Sequence, residues 1–358
     1  MLTTILLMIA CGGGDSVRER SSPSPDTLLL ADSIGVLMGD SCYEFAEISD
    51  IRVEPEGIAV LDGIYCRISF YDSSGRYLSS FGRSGEGPGE FSYPNRLCRL
   101  GTGDWFVFDF GNRTVTVLDD SMEYICGYGM RMGMILKVSA AGDSSVVVKN
   151  IVVEFNEGDL MAGYRIQAMN AYSGEEGVVY REHVVPMGAD EVDLRPEYAF
   201  FTTDSAGDVY LADLESDRYR ITVVSAEGDT LQTIDRGEET RGEYDPEAHS
   251  IPYFPLTMPL TTDQGTSTLR ISATDLHPYV TSMEIDGQGN IWVRRMGLAD
   301  SESWDVLSPS GELLRSVVLV ADTTGGTAHY PSLHVSPWGM VATRNELEVE
   351  RFYTVFEK

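Results

Sequence analysis

The chain has 358 residues, with 56 acidic against 26 basic side chains and a formal net charge of −30 at neutral pH. Such a surface argues against nucleic acid and anionic membrane as partners, because both require a positive face. An apolar share of 42% is that of a globular protein with a sizeable core. In chain order, residues 1–10 (MLTTILLMIA) form an apolar run too short to span a bilayer and read as a signal peptide ending at Cys11. The Gly/Ser/Pro-rich tract that follows, to residue 26, reads as a flexible tether. From residue 27 to 358 the pattern is short alternating runs bounded by Gly, Asp, Asn and Ser, which predicts strands and turns and no amphipathic helix. The first such group is residues 48–53, 57–61, 67–71 and 76–81, a four-stranded meander.

These runs recur. RISFYDSSGRYLSSFG (67–82) lines up with TVTVLDDSMEYICGYG (114–129), RITVVSAEGDTLQTIDRG (220–237), WDVLSPSGELLRSVVL (304–319) and, more weakly, RIQAMNAYSGEEGVVY (165–180). The turn residues Gly75, Met122, Gly174, Gly228 and Gly311 are spaced by 47, 52, 54 and 83 residues. A period of ~50 residues fits one four-stranded blade, and the long interval holds one blade plus an insert at 236–278. A single meander cannot bury both its faces, whereas blades packed radially can, leaving only short outer edges open. The sequence therefore predicts an all-β, six-bladed propeller. Its last blade takes LHVSP, GMVATRN and RFYTVFEK from the C-terminus and the run 28–37 from the N-terminus, which closes the ring.

Two resemblances add to this reading. Leu7-Met8-Ile9-Ala10-Cys11 resembles the bacterial lipobox, in which the cysteine is lipidated. It implies an envelope lipoprotein, with Gly12 matching the outer-membrane sorting pattern and the chain facing the periplasm. Residues 88–119 carry Gly87-Pro88-Gly89, Phe91, Tyr93-Pro94, Gly103-Asp104, Asp109 and Asn112-Arg113, followed by the β-branched run 115–118. This resembles the NHL repeat, and the whole is similar to six-bladed propeller lipoproteins of bacteria in which a GxGPGEF segment recurs. The family includes scaffolds, ligand binders, lyases and hydrolases, so it implies a fold more than a function.

In a meander, the link between second and third strands lies at the same end as the link to the next blade. That places the FGRSGEGPGEF loop (81–91), the turns at 61–65, 110–113 and 213–218 and the insert on one face around the channel. The candidate ligand-face residues are Asp109, Asn112, Arg113, Asp213, Arg218, His249, Tyr253 and His277. The structural alternative for Asp109 and Asp213 is a turn cap or an ion pair with Arg113 or Arg218. The 81–91 loop offers Glu86 and Glu90 but no lysine, and leads into a strand, so it reads as a blade-to-blade turn rather than a phosphate loop. The five histidines make no HxH or HExxH pattern, and no GxSxG nucleophile elbow occurs. No metal site or cofactor is predicted. The Asp-rich turns at 72–75 and 286–290 are weak calcium candidates, without the twelve-residue loop and closing Glu of a calcium hand. Cys42, Cys66, Cys98 and Cys126 allow two disulfides or four buried thiols. The expected function is a monomeric binding module or scaffold for a small ligand or an envelope protein, touching the membrane only through its anchor. A metal-assisted lyase or lactone-type hydrolase with its site in the channel is the alternative.

Overall fold

A computed structural model describes residues 26–36, 38–130, 134–156, 159–186, 200–212, 219–237, 257–262, 265–270, 280–295, 303–320, 332–336, 339–345 and 348–353. Every regular element among them is a strand. Four separate antiparallel sheets hold four strands each. The first is β2 (Ile48–Glu54), β3 (Gly57–Asp62), β4 (Arg67–Tyr71) and β5 (Tyr77–Phe81), after β1 (Asp26–Ile34). The second is β6 (Pro94–Arg99), β7 (Trp105–Asp109), β8 (Thr114–Leu118) and β9 (Tyr124–Gly129). The third is longer, with β10 (Ile135–Ala140), β11 (Ser145–Asn156), β12 (Asp159–Asn170) and β13 (Glu176–Pro186). The fourth is β14 (Phe201–Thr203), β15 (Val209–Ala212), β16 (Arg220–Val224) and β17 (Thr230–Asp235). Within the expected insert, β18 (Thr257–Thr262) and β19 (Gly265–Arg270) form a hairpin.

The remaining strands are β20 (Val280–Ile285), β21 (Ile291–Arg295), β22 (Ser303–Leu307), β23 (Leu313–Val320), β24 (Ser332–Ser336), β25 (Gly339–Asn345) and β26 (Glu348–Tyr353). With β1 they form one eight-stranded sheet in the order β20-β21-β22-β23-β1-β26-β25-β24. The structure thus has five sheets of four or more strands, where the sequence predicts six blades. The strands expected to make a separate last blade lie instead in the eight-stranded sheet, because β1 pairs antiparallel with β26 (Leu30 opposite Phe352) and also parallel with β23 (Thr27 opposite Val318).

The burial pattern explains why these strands stack as blades. In β3 and β7 every residue is buried, so both sheet faces are covered. Alternate residues of β7 go to opposite cores, because successive side chains of a strand point to opposite faces. Trp105 and Val107 pack with Leu61, Ile68 and Leu97, whereas Phe106 and Phe108 pack with Val138, Val146 and Val148 of the next sheet. Similar cores join the third sheet to the fourth and the fourth to the strands β20–β23. Ile34 and Val341 pack on Ile51, Ile58 and Val60 of the first sheet. Fourth strands such as β9 are largely exposed, since they form the outer rim. The chain is therefore a β-propeller of four-stranded antiparallel blades. The first strands, β2, β6, β10, β14, β20 and β24, touch in that order, and β24 returns to β2.

The turns are built as their residues require. Asp72, Asp119 and Asn170 close the third-to-fourth-strand turns of the first three blades by accepting nearby backbone N–H groups. Asp286 does the same between β20 and β21. One oxygen of Asp72 and one of Asp286 are therefore spent on backbone, as plain turns demand. No cluster of three or more His, Cys, Asp or Glu with metal-binding geometry occurs among the described residues. Cys42, Cys66, Cys98 and Cys126 are free thiols, so of the two alternatives the structure takes the second, with Cys66 and Cys98 buried and the other two partly so.

Candidate functional site

On the predicted ligand face, the glycine-rich loop folds back on itself. Phe91 donates its N–H to the Arg83 carbonyl and Gly85 to that of Phe91, both at 2.9 Å. The Glu90 carboxylate accepts the Gly87 N–H at 3.0 Å and the Arg83 guanidinium, and these bonds hold its carboxyl below the usual range. The N–H groups of Gly85, Gly87, Glu90 and Phe91 are thus turned inward to the loop's own acceptors. Gly82 is required here: its φ is +101°, and an added Cβ would lie 2.8 Å from the Cys66 carbonyl oxygen.

Asp109 is fully buried at the end of β7, where its two oxygens accept the N–H groups of Ser92, Tyr93, Gly111 and Asn112 at 2.7–3.2 Å. Its role is that of the turn cap. Asp62 occupies the same place in the first blade and accepts from Ala46, Glu47 and Tyr65. Asn112 donates its side-chain amide to the Gly85 carbonyl at 2.9 Å and so ties this turn to the glycine-rich loop. Arg113 has an exposed side chain and a left-handed backbone (φ +55°), and its carbonyl accepts the Met130 N–H. The structure therefore brings Asp109, Asn112 and the 81–91 loop together as a brace. Asp213, Arg218, His249, Tyr253, His277 and the lipidation candidate Cys11 lie outside the described residues.

A different cluster sits where the first strands meet. Asp50 and Arg52 on β2, Arg96 on β6, Lys137 on β10, Glu284 on β20 and His334 on β24 are all partly buried. Several of their bonds cross between blades. Arg52 pairs with Asp50 at 3.0 Å and donates to the Val138 carbonyl at 3.3 Å. Asp50 also accepts the Leu97 N–H at 2.8 Å. Arg96 donates through Nε to the Leu136 carbonyl at 2.6 Å and through Nη1 to the Asn95 carbonyl. Lys137 donates to the Met283 carbonyl at 3.3 Å and lies 3.5 Å from the Glu284 carboxylate. The physical reason is the open edge of each first strand. Its outward carbonyls have no neighbouring strand, and cations from other blades satisfy them.

The electrostatics of the three cations differ. The Arg52 proton is held more tightly than usual, because Asp50 and other carboxylates outweigh its burial. Arg96 is shifted down by burial, which Asp50 only partly offsets. Among the described residues Arg96 has no ion-pair partner, and both its bonds go to neutral carbonyls. His334 is pushed down to about 4, by burial first and the Arg52 charge second, so its imidazole is neutral at pH 7. The cluster thus carries three positive and two negative charges in a protein whose net charge is −30.

The sequence carried a signal for this cluster that motif spacing overlooks. ISDIRVE, PNRLCR, ILKVSA, VTSMEI and SLHVS each place at least one ionisable residue inside a short first strand.

No protein-family model matches the chain, and no curated protein matches it. Among solved structures it is similar to a protein provisionally named a gluconolactonase, at 14% identity over 92% of this chain and 94% of that one (TM-score 0.46). It is similar to a Bacteroides fragilis protein provisionally described as exported, at 9% identity over 92% and 99% (TM-score 0.48). It is also similar to virginiamycin B lyase from Staphylococcus aureus, at 8% identity over 92% and 95% (TM-score 0.43).

Proposed function

We propose that the chain is a six-bladed propeller closed by β1, and that its channel binds a small ligand through an oxyanion such as a carboxylate or phosphate. The six first strands, each touching the next and the last the first, support the count. So does the β24-β25-β26-β1 half of the large sheet, which has the same antiparallel order as the other blades.

The observation that carries the ligand reading is Arg96. A guanidinium taken from water and given only neutral acceptors is under-compensated, and an anion beside it restores the balance. Arg52 and Lys137 belong to the same cluster and add to the pull. Calorimetric titration of the purified chain with inorganic phosphate and with succinate tests this. Charge-assisted bonds of about 1.5–3 kcal/mol predict that Arg96→Gln weakens binding by roughly ten- to a hundredfold. Absence of saturable binding of either anion, or equal affinity in the Arg96→Gln variant, refutes the reading.

The chain acts, on this proposal, as a monomeric envelope lipoprotein anchored through Cys11, with a small anionic metabolite or the acidic group of an envelope partner in its channel. The lipobox-like run 7–11 and the tether composition after it support the anchor. Labelling with a radioactive fatty acid in cells expressing the full chain tests it, and label that persists in Cys11→Ser removes the anchor from the proposal.

A further inference from the structure

At the opposite end of the blades from the glycine-rich loop, a cleft of about 340 Å³ opens between the first and second blades. That is the lower end of the range for small-ligand pockets, roughly 300–1,000 Å³. Its walls are apolar and aromatic. Phe70 and Trp105 meet edge to face at 5.6 Å, and Leu78 on the outer strand β5 is 51% exposed. Its charged residues are Glu54, Glu56 and Asp120, set around the single guanidinium of Arg99. That guanidinium lies over the Trp105 ring at 5.4 Å, so the indole face already accepts one cation. Three carboxylates against one cation leave the cleft short of positive charge by two.

A second observation lies in the backbone. The turn between third and fourth strands has a residue of positive φ in five blades, and it is glycine in four: Gly75, Gly174, Gly228 and Gly311. In the second blade it is Met122, at φ +66°. A side chain there carries a steric cost that the other blades avoid. Its side chain lines the cleft and packs on the cluster that contains Trp105. A strained residue kept beside a cavity points to use of its side chain. Methionine is unbranched and polarizable, and adapts to the shape of an apolar guest.

We propose that this cleft binds an organic cation with an apolar body, of the arylalkyl- or alkylammonium class. The body lies against Phe70, Leu78 and Met122. The ammonium takes hydrogen-bond acceptors of Glu56 and Asp120 that Arg99 leaves free, since each carboxylate gives Arg99 only one described bond. Burial raises the Glu54 carboxyl despite the Arg99 and Arg52 charges.

Calorimetric titration of the purified chain with 2-phenylethylammonium, 2-phenylethanol and 3-phenylpropionate tests the proposal. The ammonium is expected to bind one to one, with the alcohol weaker by about tenfold and the carboxylate weaker still. Glu56→Gln combined with Asp120→Asn, both exposed positions, is expected to lower the ammonium affinity by about tenfold. Met122→Gly is expected to weaken the ammonium several-fold while its urea midpoint stays equal or rises, a split that a purely structural methionine does not give. Arg96→Gln is expected to leave ammonium binding unchanged, which separates this cleft from the channel. Equal binding of ammonium and alcohol, unchanged affinity in Met122→Gly or in the double variant, loss of binding in Arg96→Gln, or no saturable ammonium binding each overturns it.

Discussion

Replacing Asp109 by Asn removes one charge and changes almost no volume, so its cost reports the brace directly. Oδ1 accepts from Tyr93, Gly111 and Asn112, and Oδ2 accepts from Ser92 at 2.7 Å. An asparagine can keep its oxygen at the Oδ1 position. Its amide nitrogen then faces the Ser92 N–H, donor against donor, in a fully buried site. One charge-assisted bond is lost and one buried donor is stranded, for about 2–4 kcal/mol after allowing for non-additivity. Asp62→Asn in the first blade has the same geometry, with the new amide facing the Ala46 N–H, and predicts a cost of the same order. Urea titration at pH 7 measures both as a fall in midpoint at constant slope. The brace also holds the glycine-rich loop through Asn112, so limited proteolysis should cut the 82–91 segment faster in Asp109→Asn. A variant within about 0.5 kcal/mol of the parent, the range of an ordinary surface change, refutes the assignment of Asp109 as a buried anchor.

Other consequences are equally direct. His334 has a folded value near 4 against an ordinary 6.5, so the unfolded chain takes up a proton first as pH falls. Its contribution is present above about 6.5 and is lost between there and 4, by about 1–3 kcal/mol. Arg52 and Lys137 oppose protonation, while Glu284 and Asp50 favour it. Urea midpoints at pH 7, 5.5 and 4.5 should fall less steeply in His334→Gln, and parallel slopes refute the assignment. Gly82→Ala forces positive φ on an alanine whose Cβ meets the Cys66 carbonyl and the Phe91 ring, and should cost about 1–3 kcal/mol by the same titration. Burial pushes the Cys98 thiol up to about 12, so native alkylation followed by mass spectrometry should modify Cys42 and Cys126 well before Cys98.

How much of this was legible in the sequence depends on the range of the contact involved. The third-to-fourth-strand turns were readable at Asp72-Ser73-Ser74-Gly75, because an Asp cap and a left-handed residue three places on are local chemistry. The first-strand cluster was not. Arg52 meets the Val138 carbonyl 86 residues later, and Lys137 meets the Met283 carbonyl 146 residues later. Nothing in the spacing of a five- to seven-residue strand says which of its charged side chains will find an acceptor on another blade. The fold shows why such side chains are tolerated: the first strand is the inner edge of its sheet, so its edge carbonyls have no neighbouring strand and meet side chains from other blades instead of the outer rim. Arg52, Arg96 and Lys137 are therefore positioned by a backbone deficit. A cation placed for that reason has fixed geometry and remaining donors, which is the state from which an anion site is made. Met122 is a parallel case. In a sequence alignment of the turns it looks like a weak copy of glycine. Only its φ of +66° and its place on the wall of the inter-blade cleft turn that weak copy into a residue with something to hold.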